Sequence, residues 1–136
     1  MFNGMYTSLN YLQMSLDGIW QRDMVISHNI ANIETPNYKR QDVSFEDQLK
    51  DIIGDGNAKL KKTRAKHIDR GMLAKTDFKP KVQTIKDTSM REDGNNVDID
   101  TQMANQAKNT LSYYYLTEKA NQNLRRIKNV INEGRR

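Results

Sequence analysis

Apolar residues recur along the first third of the chain in alternating steps of four and three. Met5, Leu9, Leu12, Leu16, Ile19, Asp23, Ile26, Ile30 and Ile33 keep this spacing through four heptads, and eight of the nine are apolar. A stripe this narrow predicts a helix with a coiled-coil-like seam rather than the broad buried face of a globular helix. Gly18 falls inside it, where glycine costs about 1 kcal/mol relative to alanine. Asp23 occupies a seam position, either as a water-accessible break in the packing or as a polar residue that selects register or partner. Pro36 is expected to end the helix, because the residue before a proline is pushed away from helical angles. Thr35-Pro36-Asn37-Tyr38 then reads as a turn, with Asn37 at the position most tolerant of positive φ. A shorter amphipathic stretch follows on Phe45, Leu49 and Ile52. Ser44 and Asp47 suggest a capping-box start for it, and Gly54 a stop.

From Gly54 to Asn96 the pattern dissolves. Phe78, Val82 and Ile85 mark one or two short strands, and Pro80 restricts any strand there to an edge; the alternative is a loop without order in the isolated chain. A last helix is expected to start on Asp98 or Asp100 as its cap. It continues through Met103, Ala107, Leu111, Tyr115 or Leu116, Ala120, Leu124, Ile127 and Ile131. These steps average nearer four than 3.6, so the stripe drifts around the helix and meets different neighbours along its length. Gly134-Arg135-Arg136 closes it with charge favourable to a helix C-terminus. The expected fold is mainly α: long N- and C-terminal helices pair as a coiled-coil-like hairpin around a polar, partly irregular or short-β middle segment. Residues 1–53, 54–96 and 97–136 are its three parts, within one domain overall.

Composition leaves two readings: the apolar residues are concentrated in a few segments, or the chain completes its core with partners. The chain has 136 residues, of which 36% are hydrophobic, and Leu, Ile, Val and Phe together number 28. That is little for a private core, since about 20% of these four residue types already borders on disorder. There is no cysteine, which removes disulfides, thiolate nucleophiles and cysteine-based zinc sites. No run of about 18 apolar residues is present, so no membrane span is expected. The stretch from Met1 to Leu16 lacks the basic flank of a secretory signal peptide, so export would need another route. Net charge is +5, distributed as −3 over residues 1–53, +5 over 54–96 and +3 over 97–136.

Chemistry is sparse. The two histidines, His28 and His67, lie 39 residues apart and neither sits in a partner motif. Hydrolase, zinc-protease and phosphate-loop patterns do not occur. Asp93-Gly94-Asn95-Asn96-Val97-Asp98-Ile99-Asp100 superficially suggests a calcium loop, but Val97, Asp98 and Ala104 fall where such a loop needs a ligand, a glycine and a glutamate. A turn leading into a helix cap accounts for it. Lys59, Lys61, Lys62, Arg64, Lys66 and Arg70 form the densest basic cluster, yet no aromatic residue lies between residues 46 and 77 to stack on bases. Tyr113, Tyr114 and Tyr115 fan around a helix, so at least one must point away from any single seam. No catalytic residue, cofactor site or metal site is identified.

One run of residues is specific. His28-Asn29-Ile30-Ala31-Asn32-Ile33-Glu34-Thr35-Pro36-Asn37-Tyr38-Lys39-Arg40 resembles the N-terminal motif of bacterial flagellar rod, hook and hook-associated proteins, N-x-A-N-x-x-T-P-G-Y-K-x, followed shortly by a Phe, here Phe45. Asn29, Ala31, Asn32, Thr35, Pro36, Tyr38 and Phe45 match, and Asn37 replaces the usual glycine. Within this family the short length, and Asp93 to Asp100 leading into Met103-Ala104 and Tyr113-Tyr114-Tyr115, fit the FlgB type of proximal-rod subunit. The likeness covers roughly residues 5–50 and 93–132. It implies a structural subunit without catalytic residues, in the periplasmic part of the basal body. It also implies export by the flagellar type III apparatus without a cleaved signal peptide. Implied partners are other rod subunits, a FliE-type rod adaptor and further copies of the chain, with no nucleic acid. Helix-seam residues expected to pack in such an assembly are Leu9, Leu12, Leu16, Ile19, Asp23, Ile26, Ile30, Leu111, Leu124, Ile127 and Ile131. The competing readings are a basic helical-hairpin nucleic-acid binder and a helical adaptor or secreted effector that shares the export route.

Overall fold

The amphipathic N-terminal pattern forms helix α1, Phe2–Ala31, in a computed structural model that describes residues 2–55, 78–86 and 92–134. Strand β1 follows at Gln41–Ser44, then helix α2 at Glu46–Asp55, strand β2 at Lys81–Thr84 and helix α3 at Ile99–Glu133. The two long helices pair with each other as expected. Their antiparallel register is visible in three contacts: Gln102 meets Asn29, Asn109 meets Ile19, and Asn123 meets Ser8. The basic cluster from Lys59 to Arg70, with His67, lies outside the described residues. Among the described residues no helix is long and apolar enough to cross a membrane.

Helix α1 ends at Ala31, five residues before Pro36. Its regular turns stop at Ala31, and Asn32, Ile33 and Thr35 continue as a series of turns held by the carbonyls of His28, Asn29, Ile30 and Asn32. Ile33, the last member of the apolar spacing, therefore lies outside the helix. The Thr35–Tyr38 turn forms as expected. Asn37 has φ 61°, the left-handed angle that the third position of a type II turn demands, and the Tyr38 N–H donates to the Thr35 carbonyl at 3.3 Å.

Strand β1 is absent from the hydrophobic pattern, because only Val43 of its four residues is apolar and buried. It pairs antiparallel with β2, Gln41 opposite Thr84 and Ser44 opposite Lys81. Pro80 precedes β2, which lies on an edge as its proline required. Because Ser44 belongs to β1, it does not cap α2. Phe45 takes that place: its carbonyl accepts from the Leu49 N–H at 2.9 Å, and its own N–H donates to the Glu46 carboxylate at 3.3 Å. Glu46 and Asp47 then place negative charge on the first turn of α2, where the helix dipole favours it.

The core is small. Ile19 and Val25 of α1, Val43 of β1 and Phe45 are buried together, with Phe78 and Leu116 packed against them. Phe45 meets Phe78 edge to face at 6.3 Å between ring centres, a favoured aromatic geometry. Its other side rests on Gly18, where a Cβ would come within 2.6 Å of the ring. The glycine that looked costly in the sequence is thus the seat of the central aromatic residue. Gly18→Ala gains about 1 kcal/mol of helix propensity but overpacks a filled site at about 1–3 kcal/mol. The net expectation is a lower midpoint in chemical denaturation followed by helical circular dichroism; an unchanged or higher midpoint would show that the ring has room to move.

Candidate assembly site

The motif residues converge on the junction where α1 turns into β1 and meets α3. Asn29, the first of them, is 1% exposed. Its Nδ2 donates to the Gln41 carbonyl at 2.7 Å and to Gln102 Oε1 at 3.2 Å. Its Oδ1 accepts from the Gln41 N–H at 2.9 Å and from the Tyr38 hydroxyl at 3.0 Å. All four hydrogen-bonding positions of the amide are used. Because the Tyr38 proton goes to Asn29, the 3.0 Å contact between Tyr38 Oη and His28 Nδ1 places a donating proton on Nδ1. Burial raises the Tyr38 hydroxyl above its ordinary value, which keeps it a donor.

The segment before α3 closes the junction from the other side. Asn95 is fully buried, and its Nδ2 lies within 3.1 Å of the carbonyls of Asn32, Ile33 and Thr35. These carbonyls lack helical partners where α1 unwinds, so one side chain satisfies the helix end. Asn95 Oδ1 accepts from the Val97 N–H at 2.8 Å. Asn96 bridges the sheet, accepting from the Arg40 N–H at 2.6 Å and donating to the Ile85 carbonyl at 2.8 Å. The Asn37 N–H donates to the Asp93 carbonyl at 2.9 Å, and Lys39 Nζ to the Gly94 carbonyl at 2.6 Å. Gly94 has φ 78°, an angle that favours glycine, and a Cβ there would stand 2.9 Å from Asn37 Oδ1. Asp98 caps α3, accepting from the Asp100 N–H at 3.1 Å and the Thr101 hydroxyl at 2.5 Å. The Thr101 hydrogen bond, assisted by the Asp100 and Thr101 N–H groups, holds its carboxyl below the usual value despite some desolvation.

Arg22 ties α1 to the start of α2. Its guanidinium lies 4.5 Å from the Phe45 ring centre and donates to the Val43 carbonyl at 3.0 Å and the Glu46 carboxylate at 2.5 Å. Burial pushes the Glu46 carboxyl up. The Arg22 hydrogen bond, two backbone N–H groups and the Arg22 charge outweigh this, leaving it below its ordinary value. Both side chains retain solvent exposure, so the pair contributes little to stability beyond its geometry.

Along the seam, Ile19 and Ile26 are buried. Leu9, Leu12, Leu16, Asp23, Ile30 and Ile127 are half-buried. Leu111, Leu124 and Ile131 are exposed, Leu111 at 71%. Ala31, Thr35, Pro36 and Asn37 are exposed around the turn, Asn32 and Tyr38 are half-buried, and Phe45 is buried. Tyr114 and Tyr115 of α3 are also exposed, at 64% and 63%. Leu111 and Tyr115 form one wall of an open apolar groove of about 460 Å³, with Ile19, Phe45 and Leu116 along the rest. Asn95, Asn96, Gln102 and Asn109, all buried, were missed in the sequence. The available signal was the heptad spacing of Gln102, Asn109 and Asn123 on a helix whose hydrocarbon stripe drifts. Among the described residues most polar groups of the junction are bonded to one another, while Leu111, Tyr114, Tyr115, Leu124 and Ile131 of α3 face out.

A helical hairpin locked at its turn, with hydrocarbon left uncovered along its long helix, is the build of a subunit that assembles through its terminal helices. No family model matches the chain. A flagellar basal-body rod protein FlgB of Bacillus subtilis is 35% identical over 116 residues, covering 84% of each chain. That of Borreliella burgdorferi is 34% identical over 119 residues, covering 85% of this chain and 88% of its own. That of Escherichia coli is 27% identical over 139 residues, covering 98% and 99%. The chain belongs to the FlgB family of flagellar basal-body rod proteins.

Two outcomes follow from the junction. Asn95→Ala removes the shared donor from three carbonyls and the acceptor of the Val97 N–H, a loss of about 2–4 kcal/mol at about 1 kcal/mol per hydrogen bond. It should lower the thermal midpoint while preserving helical content at low temperature; an unmoved midpoint would mean that water replaces the amide. At the turn, Asn37→Gly should be close to neutral, whereas Asn37→Ala should destabilise by about 1–2 kcal/mol because of its left-handed φ. Equal effects of the two substitutions in denaturant titrations would contradict the conformational explanation.

Proposed function

We propose that the chain is a structural subunit of the flagellar basal-body rod, in its proximal part. On this reading the terminal helices pack against neighbouring axial subunits, further copies of the chain and a FliE-type adaptor. The assembled helices form the wall of the export channel and carry motor torque along the shaft. The subunit reaches the periplasmic rod through the flagellar type III export apparatus without a cleaved signal peptide, and it has no catalytic role. The family supports the reading. The single observation that carries it is the uncovered hydrocarbon of α3: Leu111, Tyr114, Tyr115, Leu124 and Ile131 are exposed on one helix. Leu111, Tyr114 and Tyr115 share one side of α3, and clustered exposed apolar residues mark interaction surfaces on soluble proteins. A contact between two different faces, repeated from copy to copy, builds a helical shaft rather than a closed ring.

The test is mass spectrometry of purified hook–basal bodies, combined with deletion of the gene. The chain is expected to co-purify with other rod subunits, and the deletion strain to lose swimming and the assembled rod. Leu111→Asp at the exposed face should then abolish swimming while leaving the isolated monomer's unfolding midpoint unchanged. Intact, motile basal bodies lacking the chain would overturn the reading.

A further inference from the structure

Helix α3 presents amides to its partner helix and hydrocarbon to solvent. Gln102, Asn109, Leu116 and Asn123 share one heptad position, and three of the four are amides. Gln102 Oε1 accepts from Asn29 Nδ2 at 3.2 Å, Asn109 Nδ2 donates to the Ile19 carbonyl at 3.1 Å, and Asn123 Nδ2 reaches Ser8 Oγ at 3.4 Å. Gln102 and Asn109 are buried, and Asn109 Oδ1 is buried with no hydrogen-bond partner among the described residues. Leu111 stands nine residues from Gln102, half a turn around the helix at about 100° per residue. Tyr115 lies beside it, and both are exposed.

Hydrocarbon burial alone favours the opposite arrangement. Turning α3 by about half a turn would cover Leu111 and Tyr115 and return the amides to water. The amides oppose that rotation because each hydrogen bond has its partner at a single azimuth, and leaving it takes the Gln102 acceptor from the buried Asn29 Nδ2 and the Asn109 donor from the Ile19 carbonyl. A polar residue in a helical seam fixes alignment at a cost in stability. We propose that Gln102 and Asn109 are positioning residues that set the azimuth of α3 against α1 and so keep the Leu111–Tyr115 face outward, for docking on a neighbouring subunit. The purpose of that face rests on the rod-subunit reading; the positioning itself does not.

The absence of cysteine allows a direct test in the full chain. Ser8→Cys with Asn123→Cys reports the observed azimuth. Ser8→Cys with Arg125→Cys reports an azimuth turned by about 200°. Asn123 is only half-buried, and replacing it leaves both buried amides in place. With Gln102 and Asn109 present, the first pair should cross-link about tenfold faster than the second, and in the Gln102→Leu, Asn109→Leu chain that ratio should fall to about one, the change expected for about 1.4 kcal/mol. A ratio that stays near ten in the leucine chain would overturn the proposal and assign the azimuth to the turn and core. Should the double variant lose its helical circular dichroism, Asn109→Leu alone, which keeps the Asn29–Gln102 bond, must lower the ratio in the same direction; an unchanged ratio there overturns the proposal equally. The ratio is read on the monomer, so absence of the chain from basal bodies would reject the rod reading without touching this one.

Discussion

The side chain of Asn29 is the point through which the two ends of the chain are joined. It supplies β1 with a backbone-like neighbour by bonding both polar groups of Gln41, reaches Tyr38 beyond the turn, and meets Gln102 on α3. Buried and fully bonded, such an amide is inexpensive; with any one partner removed it becomes a buried group without a hydrogen bond, at about 1–3 kcal/mol. The turn, the strand and the pairing of the long helices are therefore mutually dependent. Asn95 repeats the arrangement from the opposite side, since its three acceptors are carbonyls that exist only when α1 unwinds at Asn32.

This polar junction lets a small core serve a long molecule. Ile19, Val25, Val43 and Phe45 occupy one end of the hairpin, close to the junction. Gly18 belongs to the same economy: its missing side chain lets Phe45 sit against the α1 backbone, and the Arg22 guanidinium, one turn along α1, lies 4.5 Å from the ring centre. Beside that core Asn109, bonded to the Ile19 carbonyl, has no hydrogen-bond partner for its Oδ1 among the described residues, where a hydrocarbon would have packed. A chain optimised for its own stability would place leucine there.

What the sequence made legible depends on how local the cause is. The long helices, the left-handed Asn37 and the Asp98 cap each follow from neighbouring residues, and each was readable. Strand β1 was not, because Val43 alone carries its hydrophobic signal and its pairing partner lies 39 positions away. The early end of α1 was legible only in part: Pro36 is a visible stop that denies the Asn32 carbonyl a helical donor, while the side chain that satisfies it, Asn95, lies more than 60 residues along the chain. Among the site residues, the Thr35–Tyr38 turn was evident, whereas the buried amides read as ordinary surface polarity. An asparagine carries no mark of burial until its partners are known.

The drift of the α3 stripe has a geometric consequence for assembly. Steps of four residues advance the stripe by about 40° each around a helix of 3.6 residues per turn. Between Met103 and Tyr115 it therefore crosses the outer side, where Met103, Leu111 and Tyr115 are exposed. From Leu116 to Ile127 it passes the side facing α1, where Leu116, Ala120 and Ile127 are half-buried and Leu124 stays exposed. One partner helix cannot cover a stripe that winds in this way; α1 covers the second part incompletely and leaves the first. The hydrocarbon between Met103 and Tyr115 is thus directed by the helix geometry itself toward a different chain, and the buried amides on the inner side are what prevent α1 from taking it.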